Sequence, residues 1–230
     1  MNHRSYLLAC LPLLLMATPA RAEFLLSEVI IDFLDGAARQ HDIEVISKDN
    51  ETQYIDTETY LVENPTAPDE KRTQIANPQE SGLMVTPNKM ALAAGARKLM
   101  RFLLLKPQTD KDQIYRVAVK PVIQGVDAGD QKVALKVLVG YEALVIVRPK
   151  NPKIELTAQR KGNSLTIINK GNTNANLQSG QQCDNTGGEC KELSVARIYA
   201  GQSWTTTLPH LDGEAKYQVW NGIKMENIIF

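Results

Sequence analysis

The sequence predicts an all-β chain folded as two β-sandwich domains. Three observations carry that expectation. Apolar and polar residues alternate at period two over 42–47, 53–62 and 133–139, among other short apolar segments. Turn-forming residues interrupt the pattern about every eight to twelve residues, as in sandwiches. Arg148-Pro149-Lys150-Asn151-Pro152 packs two prolines and two charges into one short stretch, the best linker in the chain. A boundary there gives domains over 23–148 and 149–230.

Taken in order, 24–34 reads as a mostly apolar strand ended by Asp35-Gly36. Residues 42–47 (DIEVIS) alternate and are turned by Lys48-Asp49-Asn50. Residues 53–62 alternate again. Pro65, Pro68 and Pro78, with many charges, make 64–79 a long loop. Leu83-Met84-Val85-Thr86 is a short strand ended by Pro87, and 90–92 leads to the turn Ala94-Gly95. The run 89–105 also fits a helix lined by Met90, Leu92, Ala93, Ala96, Leu99, Met100 and Leu103. The strand reading is preferred because Pro87 and Gly95 punctuate the run and strands surround it. Residues 114–119 (IYRVAV) follow as a strand. In the second domain, strands are expected at 154–158, 165–168, 174–177, 193–198, 203–208, 216–220 and 223–230. Asn221-Gly222 reads as a two-residue hairpin turn between the last two.

One strand stands apart. In 133–147, Val133, Leu135, Val137 and Val139 alternate onto one face, and the pattern runs on through Tyr141, Ala143, Val145 and Val147. At its full extent this strand would be roughly 50 Å long, well beyond ordinary strands. The plain reading is a core strand with one buried face. At a sheet edge, the same stretch would offer free main-chain groups and a row of apolar side chains to another chain.

The 230 residues carry no net charge and are 43% hydrophobic, enough for one large or two small domains. Neutrality gives no reason to expect nucleic acid, and aromatics at 6% argue against stacking platforms. The N-terminus reads as an export signal over 1–22. His3 and Arg4 precede an apolar run over 6–17, and Ala20-Arg21-Ala22 forms an A-x-A cleavage site. The run continues past Cys10, which disfavours a lipoprotein signal. Cleavage removes Cys10 and leaves Cys183 and Cys190, an even count that in an exported chain argues for a disulfide.

Catalytic and metal signals are missing. There is no GxSxG, glycine-rich phosphate loop or HExxH. Two thiols with His41 and His210 at unmatched spacings do not make a zinc site. The expectation is therefore no catalytic residue, no metal and no cofactor.

Several segments, in this order, resemble one family. Leu83-Met84-Val85-Thr86-Pro87 followed by Ala94-Gly95-Ala96 is similar to its "VTP…PG" segment. Ile114-Tyr115-Arg116-Val117 resembles the next strand. The alternating strand that exits at Arg148-Pro149 resembles its donor strand. Asn169 to Asn172, the cysteine pair and Tyr199-Ala200-Gly201-Gln202-Ser203 resemble its second domain. The family is that of the periplasmic pilus chaperones of the chaperone–usher pathway, PapD-like. The YRV form is that of the alternative branch that assembles class 5 fimbriae of CFA/I and CS1 type.

The resemblance implies two immunoglobulin-like sandwiches in a bent arrangement and a periplasmic binding protein that is not an enzyme. Through donor-strand complementation, such a chaperone completes the fold of a pilus subunit and delivers it to an outer-membrane usher. Val133, Leu135, Val137 and Val139 fall at the donor positions, and the same edge is expected to support self-association. An inter-domain ion pair of Arg148 with Asp112 is also implied. The family anchors the C-terminal carboxylate of its cargo with an Arg on the first strand and a Lys on the donor strand. Here Ile31 lies at or near the first position and Leu144 at the second, so another group must serve; Arg97, Lys98, Arg101 and Arg116 are candidates. Two readings compete. A fimbrial subunit or adhesin would carry a donor extension before its first strand. An exported hydrolase would need residues that nothing in the sequence nominates.

Overall fold

The computed structural model of the chain describes residues 23–122, 138–184 and 187–230. The export signal expected over 1–22 lies outside these residues. The first half comprises β1 (Phe24–Leu26), β2 (Ile30–Phe33), β3 (Gln40–Ser47), β4 (Gln53–Glu63), β5 (Lys71–Gln74), a one-turn helix α1 (Pro78–Ser81), β6 (Leu83–Thr86), β7 (Lys89–Leu92), β8 (Arg97–Leu104), β9 (Gln113–Pro121) and β10 (Tyr141–Val147). One sheet runs β1-β3-β8-β6. The other runs β2-β10-β9-β4-β5, with β7 also on β4. Inward residues of both sheets, among them Phe24, Ile43, Val45, Met100, Phe102, Val117 and Val145, close one apolar core.

The second half comprises β11 (Leu156–Lys161), β12 (Ser164–Asn169), β13 (Ala175–Cys183), β14 (Cys190–Glu192), β15 (Ala196–Ile198), β16 (Ser203–Thr207), β17 (Ala215–Trp220) and β18 (Met225–Ile229). Its sheets run β11-β12-β16 and β14-β13-β17-β18, with β15 on β13. Leu165, Ile167, Leu177, Ile198, Tyr217 and Val219 form a separate core. The all-β, two-sandwich expectation is met, and 89–105 is strand rather than helix. Cys183 and Cys190 face each other across β13 and β14 and are bonded as expected.

Four local readings need correction. The strand expected over 24–34 is two strands in different sheets: β1 pairs antiparallel with β3, and β2 pairs parallel with β10. The switch falls at the polar pair Ser27-Glu28, where Ser27 and Glu44 exchange two hydrogen bonds. The loop expected over 64–79 contains β5 and α1. Strand β5 is exposed throughout, so it has no apolar alternation to betray it. The strand expected to run unbroken over 133–147 begins, within the described residues, at Tyr141. Its ladder with β9 starts at Tyr141↔Val119, while residues 138–140 are outside any strand. Finally, Asn221-Gly222 opens a four-residue connection over 221–224, not a two-residue turn. The Asn221 side chain accepts from the N–H groups of Ile223 and Lys224, which fixes the longer loop.

Candidate functional site

Strand β10 is central to the first half. It leaves the sheet at one end toward Val139 and enters the second domain at the other through Arg148. At the first end, Val139 is 40% exposed. Val133, Leu135 and Val137, the other donor-strand positions, lie outside the described residues.

The outer face of this sheet is built row by row from the register. Ile30, Leu144, Arg116 and Tyr60 lie side by side across β2, β10, β9 and β4. Ile146, Ile114 and Val62 form the next row and are capped by Tyr199 of the second half, an apolar cluster that also includes Leu144. Beyond Leu144 the face is open, and Ile30 is 51% exposed. Ile31, placed from the sequence at or near a ligand-anchoring position, is 1% exposed and faces the core. Period two puts Ile30 outside instead, beside Leu144. These two adjacent positions are both apolar, as expected.

Arg116 is the cation nearest in register to them. Its guanidinium is 3.9 Å from Glu142, whose other oxygen is held by Arg72 at 2.7 Å. Arg72 also binds Glu70, and the Thr66 N–H together with Arg72 holds the Glu70 carboxyl below its ordinary range. The other candidate cations are engaged elsewhere or face away. Arg97 pairs with Glu44, and Arg101 pairs with Asp42 through two hydrogen bonds of 2.8 Å. Both lie on the opposite sheet, as does Lys98.

At the second end, Arg148 is fully buried. Its Nε and Nη2 donate to the two oxygens of Asp32 at 2.8 Å each. Its Nη1 donates to Thr173 Oγ1 at 2.7 Å and to the Asn174 carbonyl at 3.2 Å. The direct pair expected of Arg148 and Asp112 is therefore not formed. Asp32 takes the guanidinium because β2 runs parallel beside β10 and brings its one acidic side chain to the exit of that strand. Asp112 joins the network one step away. It accepts from Thr173 Oγ1 at 2.8 Å, and from the Asn174 N–H and Nδ2 at 2.6 and 2.7 Å. Burial pushes the Asp112 carboxyl up, and these three donors offset part of that rise. Gly222 completes the joint. Its φ is +95°, and a Cβ there would overlap the Arg148 guanidinium. A second contact ties the domains where Gln202 donates to the Pro65 carbonyl at 2.9 Å.

Sequence reasoning found Arg148 and Asp112 but missed Asp32, Thr173, Asn174 and Gly222. Asp32 did leave a signal: a single carboxylate in an otherwise apolar strand needs a buried partner. Among the described residues, no cluster of three His, Cys, Asp or Glu is placed to hold a metal. No described helix is long and apolar enough to cross a membrane.

No protein-family model matches the chain. Among curated proteins, it is 32% identical over 206 residues to a protein of Escherichia coli named as a CS1 fimbrial subunit, covering 85% of each chain. Among solved structures, it is similar to the class 5 fimbriae chaperone CfaA, at 26% identity with a TM-score of 0.67, covering 90% of this chain and 97% of that one. A structure described as a chaperone–tip adhesin complex of CFA/I fimbriae biogenesis contains a chain matched at 27% identity with a TM-score of 0.64, covering 91% of this chain and 98% of that one. The match spans both sandwiches and the joint between them, and the chain belongs to the PapD-like periplasmic fimbrial chaperones, in the class 5 branch of CFA/I and CS1 type.

Proposed function

We propose that this chaperone binds fimbrial subunits in the periplasm by lending them a strand, and passes them to an outer-membrane usher. In this reading residues 1–22 direct export, 23–148 form the subunit-binding domain, and 149–230 form the second domain. Val133, Leu135, Val137 and Val139 fill the open groove of the bound subunit, while its sheet pairs with the main chain beside them. The observation that carries the reading is the near-full-length likeness to a class 5 fimbriae chaperone and to a chain of a structure described as a chaperone–tip adhesin complex. The exposed Val139 and, further along the same run of chain, the open Ile30–Leu144 row are consistent with it. The process needs no catalysis and no cofactor, because a subunit extension later replaces the lent strand.

A subunit carboxylate arriving at this face would meet Ile30 and Leu144, not cations. Arg116 is the group we infer receives it. It is next in register to Leu144, and its hold on Glu142 is long and shared with Arg72. A planar guanidinium suits a carboxylate.

Co-expression with a cognate subunit tests the reading. Leu135→Asp/Val137→Asp places charges that must be desolvated in an apolar groove, at several kcal/mol. The wild type should protect and co-purify the subunit, and this variant, still folded, should not. Equal recovery would refute the donor assignment. The name of the curated relative keeps a second reading in view, that of a structural component of the fimbria. Finding the chain built into purified fimbriae would favour that one.

A further inference from the structure

We propose that this chain pairs with a second copy of itself through β18, the edge strand of the second domain, leaving the subunit-binding strand of the first domain free. Ala215 and Phe230 exchange both main-chain hydrogen bonds, at 2.9 and 3.0 Å. Antiparallel ladders alternate, so residues 226 and 228 also turn their main-chain groups toward β17. Met225, Asn227 and Ile229 then point theirs outward, and β18 has no partner on that side among the described residues. The same three side chains lie on the exposed face, Met225 at 43% and Ile229 at 55%.

Several other described edges are guarded against such pairing, although β16, at the edge of the β11-β12-β16 sheet, carries neither charge nor proline. Strand β5 carries Lys71 and Arg72, β11 carries Arg160 and Lys161, and β6 stops at Pro87. Strand β14 is three residues long, with Lys191 and Glu192. Charges, prolines and short length are the usual protections of an edge. The three outward residues of β18 have none of them, and the nearby Lys224 and Glu226 neutralise each other at 2.9 Å.

The edge is complementary to itself, which points to a second copy as the occupant. Two β18 strands laid antiparallel about Asn227 put Met225 opposite Ile229 of the second copy, and Ile229 opposite its Met225. The two Asn227 amides meet on the two-fold axis, where side-chain amides hydrogen-bond each other. All three residues would exchange both main-chain bonds with their opposite numbers. A shift of one residue either way would bring inward-facing groups to the edge and lose this match.

Sedimentation of the wild-type chain over a wide concentration range should show a monomer–dimer equilibrium. Met225→Lys and Ile229→Lys each face a charge against an apolar cross-strand partner, and should weaken the dimer about tenfold or more. Met225→Lys/Ile229→Glu pairs opposite charges in the proposed register and should restore it. Should the lysine variants melt early, Asn227→Cys supplies an independent readout. Facing residues about 5.5 Å apart are within disulfide reach. Mild oxidation should therefore give a covalent dimer, which Gln218→Cys on β17 should not. The Leu135→Asp/Val137→Asp variant should dimerise as the wild type does. A chain monomeric throughout, a dimer unchanged by the lysine variants, a double variant no better than its singles, or a dimer lost in the donor-strand variant would each overturn the proposal.

Discussion

Leu144 and Arg148 stand four residues apart on one run of chain, and their surroundings are opposites. Arg148 is enclosed, and all of its hydrogen-bonding nitrogens are engaged by Asp32, Thr173 and Asn174. Leu144 lies at the margin of an apolar patch that the second domain covers only in part, next to the exposed Ile30 and the loosely held Arg116. The contrast separates two tasks along β10. One end fixes the second domain to the first, and the other leaves an open apolar face, where we propose that the subunit binds. A charge is tolerated in the dry joint because its partners are built in, whereas the open face carries apolar side chains that need something to cover them.

Breaking the closed end should have the largest effect. Arg148→Ala leaves Asp32 and Asp112 with an uncompensated negative joint, and should cost about 3–5 kcal/mol of unfolding free energy in denaturant titrations. Arg148→Met, apolar and of similar length, should cost clearly less. Equal losses would mean that packing rather than charge pairing holds the joint. Gly222→Ala comes next. The new methyl must displace the guanidinium, and the backbone sits at φ +95°, so a loss of about 1–3 kcal/mol is expected. Combined with Arg148→Met, much of that loss should disappear, because the two sites share one contact.

The open end should respond in binding and not in stability. Ile30→Asp on the exposed edge should leave the melting curve nearly unchanged and reduce the recovered subunit about tenfold or more. Arg116→Ala should weaken recovery by a smaller factor. If it leaves recovery unchanged, the carboxylate is received elsewhere.

The smallest effect concerns pH, and its sign differs between regions. Asp112 titrates above the ordinary Asp value because it is buried, so charging it opposes the fold. That cost is absent below about pH 3.9, sets in as the pH rises, and is complete above the raised native value. Asp42 and Glu58 behave oppositely. Arg101 and Lys120 hold them below their ordinary values, so their support is complete above the ordinary carboxylate range and is lost as the pH falls through the lowered values. Both are only partly buried and in reach of solvent, and their share is small. Stability against pH for Asp112→Asn should therefore differ from wild type in the opposite sense to Asp42→Asn.

Much of the fold is legible in the sequence because sandwich strands carry their burial in alternation. The second-domain strands read that way, whereas 89–105 reads as strand because Pro87 and Gly95 punctuate a run set among other strands. What escapes has no such pattern. Strand β5 is wholly exposed, and the change of sheet after β1 depends on Ser27 meeting Glu44, a contact between segments distant in sequence. The joint is half legible. Arg148 beside two prolines marks it, but its partner is set by the parallel register of β2 on β10, which local sequence does not encode. On the open face, the sequence points to Ile31, one residue away from the outward position, and a shift of one flips a side chain from surface to core.

The central claim is that residues 133–139 are the strand lent to a subunit. Amide hydrogen exchange, with and without a bound fimbrial subunit, tests it most directly. The account predicts strong new protection over 133–139 on binding, with the amides of Tyr141–Val147, already in the β9 ladder, changing little. Protection confined to other surfaces, with 133–139 exchanging as fast in the complex as in the free chain, would contradict it.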